Sequence, residues 1–195
     1  MRPQRRLGVC GRPLNLIVSL SFIPFAQMHT VTISALKAFP QQLEAHYSAV
    51  PAEFKHWAPP SWDGIPSESL TAVEQVCHVR DVEVDGYHVR FHRTLNEVNP
   101  TLASIDTAAL AKERSYGTSD AAAALGAFRA ARLKTVELIT RLTPEQLSRS
   151  AVFEGYGPVS LLSLVHYLCS HDQQHLAGLQ WLLGKIEASR RHVRG

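Results

Sequence analysis

The chain has 195 residues, 45% of them hydrophobic and 19% charged, the content of a single globular domain with a sizeable core. Its formal net charge of +3 is unevenly placed, because Arg2, Arg5, Arg6 and Arg12 lie in a stretch with no acidic residue and the remainder is nearly neutral. The body therefore has no concentrated basic face for phosphate contacts, which argues against a nucleic-acid role. Cys10, Cys77 and Cys169 form no paired framework, which fits reduced thiols in a cytoplasmic setting.

Residues 1–27 are expected to be a leader outside the fold. The stretch "MRPQRRLGVCGRPLNLIVSLSFIPFAQ" has basic residues followed by an apolar run from Leu14 to Ala26, broken by Pro24. That is signal-like in outline, but "FAQMHT" is a poor small-x-small cleavage site, and the run is too short to span a bilayer. A non-native start region, with Met28 as the natural start, is the preferred reading, because the helical pattern begins directly after it. Residues 28–195 form the expected domain.

The first helix is expected over Ser34–Ala49, with Pro40 inside it and Pro51 after it. "PAEFKHWAPPSWDGIP" then reads as a packed loop. A second helix is expected over Leu70–Val98, capped by Ser69 or by Thr71 with Glu74 in a capping box. Val73, Cys77, Val84, Tyr87, Phe91 and Leu95 give it an apolar stripe, and its length is about 40 Å. The third helix runs from about Thr118 or Ser119 to Leu142, with Leu125, Phe128, Ala131, Leu138 and Leu142 inward. Thr143-Pro144 then resets the chain as a cap followed by proline, and "AVFEGYGPVS" reads as a loop or short hairpin. The fourth helix is expected from Ser160 to Ala188. Four long amphipathic helices with few strand signals imply an all-α, antiparallel four-helix bundle.

On the fourth helix Leu161, Leu164, Leu168, His171, His175, Leu179, Leu182 and Ile186 follow a three-four spacing throughout. The two histidines thus occupy core stations, where leucine would pack without desolvating a polar ring. A four-residue step rises about 6 Å and returns to nearly the same face, so both imidazoles can address one ion. A bundle completes such a site from another helix. His78 is the leading partner, while His88 and His92 form a rival pair that an exposed face also explains. His166 is off the face of His171 and reads as hydrogen-bonded packing. His29, His46, His56 and His192 have no partner at metal-ligand spacing.

"HVRDVEVDGYHVR" and "SHDQQHL", with the "SWDG" loop and "FEGYGPVSLLSLVHYLCSHD", resemble the DinB-like family over roughly residues 30–187. The resemblance implies a four-helix bundle that carries a divalent metal on three histidines, here His78, His171 and His175. Zinc and nickel both suit three imidazoles, and three such ligands leave a position open. Glu74 and Asp81, one turn either side of His78, are candidates to accept its second ring nitrogen.

Some members of the family use a low-molecular-weight thiol, among them bacillithiol transferases and mycothiol-dependent maleylpyruvate isomerases. The implied function is a metal-dependent thiol S-transferase or isomerase acting on a small molecule. Arg90, in the matching "GYHVR", is a candidate to neutralise an anionic substrate, although a surface ion pair is the preferred reading. The alternatives are a non-catalytic, stress-associated metal-binding protein and a metal-dependent hydrolase, the latter ranked lower for want of a general base beside the ligands. No nucleic-acid or membrane partner is expected, and a homodimer is.

Overall fold

The computed structural model describes residues 25–192. The expected leader lies outside the described residues except for 25–27, which belong to helix α1 (Phe25–Ala49). That helix begins nine residues before its expected start and continues through Pro40. Leu36, Phe39, Leu43, Tyr47 and Val50 recur at three and four residues and are its buried face. Pro51 follows, and a short 3-10 turn at Ala52–Phe54 opens the loop to the next helix.

Helix α2 is one rod in three parts. Thr71 and Glu74 close the capping box, with Glu74 Oε2 accepting from Thr71 N at 2.8 Å, so Thr71 rather than Ser69 is the cap. Ala72–Asp81 is α-helical, Val82–Tyr87 is a π-helical turn, and His88–Asn96 is α-helical again. A π turn holds more residues than an α turn and rotates the register of the residues beyond it. This corrects the expected stripe. Val84 is 40% exposed, while Glu83 is 1% exposed and faces inward.

Between α2 and the hairpin lie strand β1 (Thr101–Leu102), short helix α3 (Thr107–Glu113), a 3-10 turn at Tyr116–Thr118, helix α4 (Ala121–Arg141) and short helix α5 (Pro144–Leu147). Asp120 caps α4 through the amides of Ala122 and Ala123. Thr143 and Gln146 form a capping box on α5 with Pro144 in its first turn, as the sequence implies. Inside α4 the expected face holds at Leu125, Phe128 and Ala131. Further along, Arg132, Thr135 and Ile139 take the buried stations, and Leu138 and Leu142 are only partly buried.

"AVFEGYGPVS" is a hairpin: β2 (Ser150–Phe153) pairs antiparallel with β3 (Gly157–Ser160), and Gly155 and Gly157 adopt φ of +81° and +79° in its turn. Strand β1 adds a parallel edge, Thr101 against Val152 and Leu102 against Phe153. Helix α6 (Leu161–His192) closes the fold. Helices α1, α2, α4 and α6 are the four-helix bundle, with α1 and α2 each packed against α4 and α6. No helix among the described residues is long and apolar enough to cross a membrane.

The core divides into two clusters. One holds Phe39, Leu43, Val76, Cys77, Phe128 and Leu179; the other holds Leu36, Val82, Phe91, Ile139, Leu164 and Leu168. Along α6 His171 and His175 fall between the two clusters, and on α2 His78 lies at the end of the first cluster, a turn before Val82 opens the second. The bundle thus holds the polar site between two apolar blocks that fix its helices.

Candidate metal centre

His78 projects from α2 and His171 and His175 from α6, and their rings lie 4.5–5.2 Å apart between centroids. The Nε2 of His171 is 3.0 Å from that of His78 and 3.2 Å from that of His175. Glu68, in the loop before α2, adds a carboxylate: Oε2 is 3.2 Å from His175 Nε2, and Oε1 is 3.6 Å from His78 Nε2. The four ligand atoms all lie within 4.8 Å of one another.

These spacings test the fit to an ion directly. Ligand atoms about 2.1 Å from a central ion, placed tetrahedrally, stand roughly 3.4 Å apart, close to the contacts above. Three imidazole nitrogens facing one another cannot satisfy each other, since each pair shares one proton at most. Glu68 Oε2 is buried yet makes no hydrogen bond despite its nearness to His175. Lone pairs aimed at a common point, beside a buried carboxylate oxygen that makes no hydrogen bond, fit a cation.

The electrostatics agree. Burial, reinforced by His175, pushes His78 down to about 4 against the smaller opposing pull of Glu68 and Asp81. Burial, with both neighbouring imidazoles, likewise holds His171 well below the ordinary histidine range. Both imidazoles are therefore neutral at neutral pH, with lone pairs available to a cation. His175 beside it keeps the Glu68 carboxyl well below the usual carboxylate range despite partial burial.

The supporting contacts differ from those expected. His175 Nδ1 donates to Gln75 Oε1 at 3.2 Å, leaving Nε2 free to coordinate, and Gln75 Nε2 donates to Leu70 O at 3.3 Å. Gly178 makes room for this: a Cβ there would stand 2.7 Å from Gln75 Oε1 and 2.3 Å from Ser67 Oγ. Glu74 and Asp81 do not serve His78. Glu74 is engaged in the cap, and Asp81 accepts from Arg80 at 2.6 and 2.9 Å and from Tyr116 at 2.6 Å.

Below the histidines lies a buried ionic triad that the sequence pattern did not predict. Arg132 on α4 donates to Glu83 at 3.0 and 2.9 Å and to Asp172 at 2.6 and 2.9 Å. It also reaches the carbonyl of Leu36 at 3.3 Å, so one guanidinium ties α1, α2, α4 and α6 together. All three side chains are at most 2% exposed. Burial pushes Asp172 up to about 7 against the opposing charge of Arg132. The π turn brings Glu83 into this triad, and Asp172 follows His171 directly, so the triad fixes the helices that carry the ligands.

The remaining candidates fall elsewhere. His88 is half-buried, with Nε2 2.9 Å from Thr135 Oγ1 and 3.2 Å from Ala131 O, so it is a packed histidine rather than part of an exposed face. His92 is exposed, and His166 Nδ1 pairs with Thr32 Oγ1 at 3.0 Å. His46 and His56 reach the carbonyls of Gln42 and Gly117. The side chains of His29 and His192 lie outside the described residues. Arg90 is not in a surface ion pair: it is 6% exposed, donates to Ala103 O at 3.2 Å, and lies 4.4 Å above the ring of Phe153. Cys77 and Cys169 are free thiols outside the cluster.

The sequence profile of the DinB superfamily matches residues 35–179, a span that contains all three histidines and Glu68. The chain belongs to the DinB superfamily. Its fold is similar to that of YfiT from Bacillus subtilis, with a TM-score of 0.70 at 20% identity over 86% of this chain and 91% of that one. YfiT is described as a probable metal-dependent hydrolase with an unusual four-helix bundle topology. No curated protein matches the chain.

Proposed function

We propose that this DinB superfamily member is a divalent-metal-dependent enzyme with its ion on His78, His171 and His175, and that it acts on a small molecule through a low-molecular-weight thiol. One observation carries the metal reading: three imidazole nitrogens and a buried Glu68 oxygen that makes no hydrogen bond converge at ligand spacing. Zinc and nickel suit this nitrogen-rich set. A divalent ion held there supplies a Lewis-acidic charge that lowers the pKa of a thiol or a water placed against it.

The chain's own residues make the setting for that chemistry. Gln75 fixes the tautomer and orientation of His175, and the Arg132 triad holds α2 and α6 at the separation the ligands need. Imidazole ligands leave the charge of a divalent ion uncancelled, so a thiolate is favoured where it takes the place of the Glu68 carboxylate. The family resemblance in "SHDQQHL" and "HVRDVEVDGYHVR" supports thiol transfer as the reaction class.

A second reading, hydrolysis, is favoured by Glu68. The helix sequences offer no general base, but the loop brings a carboxylate within 3.2 Å of a ligand nitrogen, in reach of a proton on a nucleophile in the site. The similarity to YfiT points the same way.

Metal content of the purified wild type beside His171→Ala and His175→Ala tests the foundation. About one ion per chain that both substitutions abolish is expected, and unchanged content in both would refute the site. Loaded protein is then assayed for thiol consumption against a panel of electrophiles and for thiol-independent ester and amide cleavage. Thiol-dependent turnover supports the first reading, thiol-independent cleavage the second, and neither leaves a non-catalytic metal-binding protein.

A further inference from the structure

The three histidines stand on helices, whereas Glu68 stands on a loop that α6 clasps from outside. Trp62 stacks on Trp181 with ring centroids 6.0 Å apart and planes 15° from parallel. Gly64, at φ +82°, packs its backbone 3.7 Å from Trp181 Nε1 by the position a Cβ would take. Ser67 lies against Gly178, the glycine whose missing side chain also admits Gln75. His175, Gly178 and Trp181 are three residues apart in succession, so the loop runs along the same strip of α6 that carries a ligand.

Glu68 itself faces two ways. Its side chain is 41% exposed, yet Oε2 is buried 3.2 Å from Nε2 of His175 and Oε1 lies 3.6 Å from Nε2 of His78, on histidines that are 0% and 1% exposed. The carboxylate therefore stands between solvent and the histidine nitrogens, where three helix-borne ligands would otherwise leave a position open.

We propose that Glu68 fills that position as a displaceable fourth ligand, and that the loop over residues 62–70 is the gate through which an exogenous anion reaches the site. This rests on the three-histidine reading above. The histidines retain the ion, because the bundle core fixes their helices. Glu68 can leave at the cost of a loop rearrangement alone, because its backbone is held by the Trp62–Trp181 stack and by short local contacts, including Leu70 N to Glu68 O at 2.8 Å. An anionic nucleophile or substrate competes with the carboxylate for one place, so Glu68 sets the affinity for small anions and keeps the site closed without one.

The test uses the full chain loaded with cobalt(II) as wild type, Glu68→Gln and Glu68→Ala, with azide as the probe ligand and visible absorption as the readout. Glu68→Gln keeps the shape of the side chain, so it reports on ligation rather than on folding. A carboxylate bound nine-tenths of the time weakens azide by about tenfold, since apparent affinity scales with the open fraction. Both variants are expected to show an altered cobalt spectrum before azide is added and azide binding at least about tenfold tighter than wild type. Stoichiometric cobalt with the same spectrum and azide affinity in all three proteins would overturn the gate and leave the histidine site standing. A wild type that binds no cobalt would overturn the histidine site and the gate together.

Discussion

Replacing Arg132 by methionine separates the triad's role from that of the apolar core around it. The guanidinium donates four hydrogen bonds to Glu83 and Asp172 and one to Leu36 O, and its loss leaves two carboxyl groups at 1% exposure with no cation. Each must then stay charged in an apolar site or take up a proton. For a carboxyl of ordinary pKa near 4, holding a proton at pH 7 costs about 4 kcal/mol. Asp172, already raised to about 7 beside Arg132, bears much of that cost in the wild type, so the new penalty falls mainly on Glu83 and the expected loss is about 3–5 kcal/mol. The folded variant holds protons that the unfolded chain has released, so its stability falls as pH rises and the penalty shrinks on acidification. Urea unfolding of the metal-free wild type and Arg132→Met at pH 7.0 and 5.5 should show that loss at the higher pH and at least about 1 kcal/mol less at the lower. A loss under about 1 kcal/mol, or an equal loss at both pH values, would refute the claim that Arg132 compensates two buried carboxylates.

The contacts around the ligands lead to further expected outcomes. Gly178→Ala gains about 1 kcal/mol of helix propensity but drives a Cβ into Gln75 and Ser67, so zinc affinity by competition with a chromophoric chelator should fall about 10- to 100-fold. Gln75→Leu, which removes the acceptor for His175 Nδ1, should weaken zinc over the same range, again about 10- to 100-fold. Thr71→Ala removes one half of the capping box at the start of α2 and should cost about 1 kcal/mol in thermal or urea unfolding. In metal-free protein His78 is pushed down to about 4, so between its ordinary value and that point the unfolded chain binds a proton that the folded chain does not. The His78 contribution should therefore be lost as pH falls from about 6.5 toward 4, so the wild type should lose stability relative to His78→Leu across that window in urea unfolding.

Periodicity placed His171 and His175 inward correctly, because they replace leucine in an unbroken three-four seam and the bundle leaves that seam nowhere to face but inward. It could not choose their partner, since His78 lies among several histidines on α2 and only the family resemblance singled it out. Arg132 was equally visible in principle, at a three-four step between Phe128 and Thr135, but an arginine between apolar stations reads as a surface residue unless its carboxylate partners are known. Those partners were hidden for a physical reason. A fixed period of 3.6 carries Val84 inward and Glu83 outward, and the π turn at Val82–Tyr87 reverses both. Glu68 sits in a loop with no periodicity, so its place beside the histidines depends on the Trp62–Trp181 stack and the gap at Gly178, which are tertiary facts. Strand β1 was missed because two residues are too few to show alternation.

The central claim is that three imidazoles, two from α6 and one from α2, hold a divalent ion. X-ray absorption at the zinc edge of the zinc-loaded full chain counts those ligands directly, because imidazole rings give a distinctive outer-shell pattern. Three imidazoles with only nitrogen and oxygen neighbours at about 2.0–2.2 Å are expected, falling to two imidazoles in His78→Ala. Fewer than three imidazoles in the wild type, or a sulfur neighbour at about 2.3 Å, would contradict that claim.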